Sequence, residues 1–136
     1  MAALTEGRPT PKRDSKTFGR GVAATKIIYQ GALVCLNAAG YATPGAVATT
    51  LKADGLALST VDNSAGGNGA KTVEVERGTF RFGNSTSTDA ITIADIGATA
   101  YIVDDQTVAK TNGSATRSAA GTIVDVDAVG VWVKIG

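Results

Sequence analysis

The segment Thr72-Val73-Glu74-Val75-Glu76-Arg77-Gly78-Thr79-Phe80-Arg81-Phe82 alternates apolar and polar residues, but in two registers. Val73 and Val75 share one parity, and Phe80 and Phe82 share the other. A strand repeats every two residues, so a slip of one needs an extra residue, and Arg77-Gly78 stands at the slip. A β-bulge or sharp strand bend there would keep both apolar pairs facing inward. A two-residue hairpin at Arg77-Gly78 is the other reading, disfavoured because arginine avoids positive φ. Bulges of this sort bend sheets into barrels.

The rest of the chain reads the same way. Val (13), Ile (8) and Thr (18) far outnumber Leu (6) and Met (1), a balance that suits pleated strands better than helices. Strands are expected at Thr25–Gln30, Ala32–Leu36 and Gly55–Asp62, with Leu56, Leu58 and Thr60 on one face. Asn37–Gly40 is a turn, and Val47–Leu51 reads as either a helical turn or a loop. Asn63–Ala70 is a flexible loop. Thr99–Val103 and Thr107–Lys110 form a hairpin around Asp104-Asp105, and Asn112-Gly113 marks a turn. Thr92-Ile93-Ala94-Asp95 resembles a capping box, so Ile93–Ala98 is expected as one short helix. In the closing hairpin, Val124 and Val126 should face inward with Val131, Val133 and Ile135, while Asp125, Asp127, Trp132 and Lys134 point away. The expectation is an all-β fold: a compact small β-barrel or β-sandwich of short antiparallel strands.

The chain is 136 residues long, the size of one domain. Its hydrophobic share of 43% includes 23 alanines and only seven aromatic residues, so the core is thin. A thin core often leans on a neighbouring subunit. With no histidine, Ser-His-Asp and Cys-His catalysis and imidazole zinc sites are excluded. The single Cys35 excludes an intramolecular disulfide and reads as a buried, inert thiol. The run from Ala65 to Thr72 superficially resembles a phosphate loop, but alanine stands at both required glycine positions and a strand follows. Asp104-Asp105, Asp125/Asp127 and Glu74/Glu76 read as turn-forming or exposed carboxylates rather than metal ligands. No cofactor or metal is expected. Met1 to Gly21 has no apolar signal-peptide core, and no stretch is long enough to span a bilayer.

A net charge of +1 argues against a dedicated nucleic-acid binder, yet the charge is unevenly placed. Residues 1–21 carry five cations against two anions, a net +3. Residues 22–136 carry eight against ten, a net −2. With Pro9 and Pro11 and no periodicity, residues 1–21 read as an extended basic N-terminal arm preceding a domain over 22–136. It is either a frayed terminus or an arm that orders against a partner. Leu4, Arg8, Lys12, Arg13, Lys16, Phe18 and Arg20 are its candidate contacts. Trp132 is the remaining interface candidate. Cover from its own chain and burial against another subunit both stay open, and the thin core favours the second.

Three groups of residues carry a family resemblance: Gly31 to Pro44, Val61 to Phe82, and the stretches Ala100 to Val108 and Ala120 to Ile135. Their turn-and-strand succession resembles the small capsid decoration (cement) proteins of tailed bacteriophages, over residues 22–136 but not the arm. The resemblance implies a β-rich body bound to the outer surface of a capsid, with the major capsid protein as partner. It implies self-association, as a homotrimer or a dimer, and an arm reaching between neighbouring subunits. It further implies no enzymatic activity, no direct nucleic-acid or membrane contact, and synthesis in a host bacterial cytoplasm before residence on the virion. Another phage structural role, in head completion or the tail, is a competing expectation. So is a displayed carbohydrate-binding module, for which Trp132, Tyr29, Tyr41 and Tyr101 are the available aromatics.

Overall fold

A computed structural model of the chain describes residues 2–3, 5–9 and 16–136. The strands run, in chain order, β1 (Thr17–Gly21), β2 (Ile27–Ile28), β3 (Leu33–Leu36), β4 (Ala42–Pro44), β5 (Lys52–Ala57), β6 (Val61–Asp62), β7 (Thr72–Glu76) and β8 (Gly78–Phe82). They continue with β9 (Thr99–Ile102), β10 (Val108–Ala109), β11 (Ala119–Val126) and β12 (Val131–Ile135). A first sheet has the order β1-β7-β5-β3-β4, a second β10-β9-β11-β12-β8, and β2 pairs with β6 in a small third. The ladders are antiparallel throughout. The protein is all-β.

The slip at Arg77-Gly78 is where the chain changes sheets. β7 lies in the first sheet, β8 in the second, and Arg77 alone separates them. Gly78 takes φ +159°, at the margin of what an L-residue adopts, and a Cβ there would stand 3.3 Å from the Phe80 ring. The two apolar pairs do not face one core, as the parity reading had it. Val73 and Val75 belong to one buried cluster, whereas Phe82, with Phe80 packed beside it, belongs to another. A strand that bends between sheets hands its side chains from one core to the next.

Those clusters explain how few large residues suffice. The larger gathers Ile102, Val108, Ile123, Val131, Val133 and Ile135 of the second sheet with Leu33 and Cys35 of the first. The smaller holds Val22, Ile28, Val34, Ala42, Ala57, Val73 and Val75. β3 therefore alternates Leu33 and Cys35 into one cluster and Val34 into the other, so this strand is buried on both faces. Such a strand reads as an unbroken apolar run, which Leu33-Val34-Cys35-Leu36 is.

Barrel closure does not occur. Each large sheet curls until its edges meet at a single isolated bridge, Val22 with Ala42 and Gly83 with Thr107. No ladder extends either contact among the described residues, so the sheets stay open.

Several local expectations also change. The strand expected over Thr25–Gln30 shortens to β2, because Thr25 takes φ +64°. Gly55–Asp62 divides between β5 and β6. The short helix expected over Ile93–Ala98 is one 3-10 turn, Ile93–Asp95, with Asp95 Oδ2 accepting from Thr92 N at 2.8 Å as the capping box requires. Gly97, at φ +92°, ends it. In the closing hairpin the register shifts between Ile123 and Asp125, so Val124 is the extra residue of a bulge. Ile123 is buried in its place and Val124 is exposed. Thr17–Gly21, read with the basic arm, is an edge strand laddered to β7.

Candidate functional site

Two surfaces gather the sequence candidates. The first is the root of the N-terminal segment. Register pairs Phe18 with Val75 and Arg20 with Val73. Arg20 then forks onto Asp54 of β5, Nε to Oδ2 at 2.6 Å and a terminal nitrogen to Oδ1 at 3.1 Å. Arg77, at the bend, donates to Asp54 Oδ1 at 3.0 Å. Both guanidiniums also lie against the Phe18 ring, at 5.0 Å and 4.6 Å from its centroid. Arg77 N donates to Lys16 O at 2.9 Å, continuing the pairing one residue beyond β1.

Asp54 is only 2% exposed and its charge is compensated by both cations. Burial is the largest single influence on its carboxyl and pushes it up. The hydrogen bonds and charges of Arg20 and Arg77 together outweigh burial and hold it below the usual value. The bond to Asp54 raises the Arg20 guanidinium, against the opposing effect of burial. Near this cluster, burial and then the Asp54 charge push the Cys35 thiol up to about 12, which leaves it un-ionised at neutral pH.

The second surface is the outer face of the second sheet. Trp132 of β12 stands opposite Arg81 of β8 and Asp125 of β11. The Arg81 guanidinium lies 5.8 Å from the indole centroid, and indole Nε1 donates to Asp127 Oδ2 at 2.9 Å. That bond, followed by the backbone N–H groups of Val129 and Gly130, keeps the Asp127 carboxyl below its usual range. Trp132 is half-buried in the isolated chain. Val124, Ile96 and Ile93 are exposed at 43%, 46% and 61%; Val124 lies on β11, and the backbone ties Gly97, which follows Ile96, to the Val124 neighbour Ile123.

Of the eight candidates, the structure brings Phe18 and Arg20 together with Asp54 and Arg77, and it sets Trp132 apart on the second sheet. Arg8 and Lys16 are exposed. Leu4, Lys12 and Arg13 lie outside the described residues. Sequence reasoning missed Asp54, Arg77, Arg81 and Asp127. Asp127 and Trp132 carried a signal, both pointing outward on the closing hairpin five residues apart, and so did Arg81 and Trp132, on strands that a bend at Gly78 could bring side by side. Asp54 gave none, because its partners lie 34 and 23 residues away. Among the described residues no three carboxylates or thiols converge as metal ligands. Compared with protein-family models, curated proteins and solved structures, the chain matches none.

Proposed function

We propose that the protein is a capsid decoration protein of a tailed bacteriophage, bound to the outer surface of the major capsid protein shell and stabilising the head. One observation carries the reading beyond the motif resemblance. The basic segment ahead of Lys16 is rooted at a defined point, because β1 is laddered to β7 and clamped through Arg20 and Phe18 onto Asp54 and Arg77. A segment that bridges subunits must be anchored in the body it leaves, or tension would peel its strand away. Self-association, as a trimer or dimer, uses the outer face around Trp132, where an indole with apolar neighbours suits a protein contact. Many copies on a repeating lattice turn weak single contacts into firm retention.

The test is addition of purified protein to undecorated heads, counting bound copies for the full chain and for a chain lacking residues 1–15. The full chain should saturate a regular set of sites, and the shortened chain should reach lower occupancy. Absence of full-chain binding would overturn the reading.

A further inference from the structure

Two asparagine-glycine steps occur in the sequence, Asn68-Gly69 and Asn112-Gly113. At such a step the main chain can react with its own side chain, because glycine has no Cβ to shield its nitrogen. The glycine nitrogen attacks the asparagine Cγ and a cyclic imide closes. The Cγ–Nδ2 bond breaks, and the side-chain nitrogen departs as ammonia with the proton that the glycine gives up. Water then opens the imide. Cleavage at Cγ leaves aspartate, whereas cleavage at the main-chain carbonyl leaves isoaspartate, with the main chain routed through Cγ. In an unfolded chain the two steps are nearly equivalent. The fold makes them different.

Both asparagines are exposed, so water reaches each. At the first step the reacting groups are tied down. Asn68 Oδ1 accepts from Ala24 N at 2.8 Å, 44 residues away in sequence, and Gly69 N donates to Val22 O at 2.9 Å. The attacking nitrogen and the carboxamide it must reach are each held by the segment that follows β1, and reaction requires both bonds to break. At the second step, Gly113 N meets Thr111 Oγ1 at 3.4 Å, the long limit of a hydrogen bond, and that hydroxyl gives its own proton to Asp89 Oδ1. Asn112 Oδ1 accepts at 3.2 Å from Ala115 N, three residues on, so its side chain folds over its own loop. That loop is strained. Gly113, Ser114 and Ala115 take φ +63°, +60° and +65°, a left-handed turn closed by Thr116 N and Arg117 N onto Asn112 O at 3.0 Å each. Ser114 and Ala115 are the only adjacent positive-φ pair without glycine among the described residues. An exposed, strained turn opens at low cost, and opening frees the Gly113 nitrogen.

We infer that Asn112 is a site of spontaneous deamidation and isoaspartate formation in the folded protein, and that the fold protects Asn68. The isoaspartyl product lengthens the main chain by one carbon and turns the oxygen that closes the turn into a free carboxylate. The left-handed turn cannot re-form, and its strain is released. A neutral amide also becomes an anion near the Asp89–Arg117 pair, which the bond from Arg117 Nη1 to Thr111 O joins to this loop. The reaction consumes only water and depends on neither the capsid reading nor a partner.

The experiment incubates the full-length protein at mildly alkaline pH, where loss of the glycine N–H proton is favoured, with and without denaturant. Peptide mapping by mass spectrometry, with aspartate and isoaspartate separated, follows both positions over time. In denaturant the two asparagines should convert at similar rates. In the folded protein Asn112 should convert at least about ten-fold faster than Asn68, the factor that one retained hydrogen bond supplies. Isoelectric focusing of the folded protein should show an acidic species accumulating, and Asn112→Gln should remove it, since the longer side chain closes a less favourable ring. Asn68→Gln should leave it in place. Conversion of Asn68 as fast as Asn112 in the folded protein overturns the proposal, and so does protection of both positions by folding.

Discussion

Asp54 is the residue on which the root of the N-terminal segment depends. Its carboxylate is buried and shared by two guanidiniums, so losing either leaves charge imperfectly compensated. Arg20→Ala should lower stability by about 1.5–3 kcal/mol, the range for hydrogen bonds to charged groups, because Arg20 supplies two of the three. Denaturant midpoints check this. The carboxyl lies below the ordinary aspartate value in the folded state, so the unfolded chain binds the extra proton first. Its contribution is present above about pH 4 and is lost as pH falls through the lower folded value. Asp62, Asp89, Asp95 and Asp127 are shifted the same way and share that acid sensitivity. Asp54→Asn should therefore flatten, but not abolish, the fall of melting temperature below pH 4. An unchanged slope would remove Asp54 from the account.

Strands here are shaped by where they break. Gly55 and Gly78 sit at two such places and should respond differently. A Cβ at Gly55 would lie 2.2 Å from the Glu76 carbonyl oxygen, a contact that only backbone movement relieves. At Gly78 the obstacle is the Phe80 ring at 3.3 Å, which can turn aside. Gly78→Val is expected to cost about 1–3 kcal/mol through strain at the bend, and Gly55→Ala at least as much. The bulge in β11 gives a sharper contrast. Ile123→Ala should cost about 2–5 kcal/mol, whereas Val124→Thr should be nearly neutral, since only Ile123 reaches the core. Comparable losses at both positions would return Val124 to the interior.

For the molecule as a whole, the N-terminal segment and the body divide inside the stretch that composition marks as basic. Removing residues 1–15 should leave the melting temperature within a few degrees of the full chain, because β1 and the clamp remain. Removing residues 1–20 takes away Phe18, Arg20 and nearly all of β1, uncovers β7, and should lower it markedly. Trp132→Ala should weaken self-association, measured by sedimentation, more than it lowers the melting curve, since the indole is half-buried and leaves the main clusters intact. A variant that assembles normally would confine Trp132 to its contacts with Arg81 and Asp127.

The sequence alone determined the all-β class, the turn at Asn37–Gly40, the capping box at Thr92–Asp95 and the break at Arg77-Gly78. Each follows from neighbours within a few residues: β-branched composition, glycine placement, alternation and its slip. Tertiary structure decided what those local signals leave open. Parity says that Val75 and Phe80 face opposite ways along an ideal strand, but not that a second sheet stands ready to take β8 and give Phe82 its own core. Alternation placed Val124 inside, and only the pairing of β11 with β12 revealed the extra residue that turns it out. Charge count marked Arg20 as part of a free basic segment. The carboxylate that holds it, Asp54, comes from a strand separated from it in the sheet by β7, and a contact across that distance in sequence leaves no periodic trace.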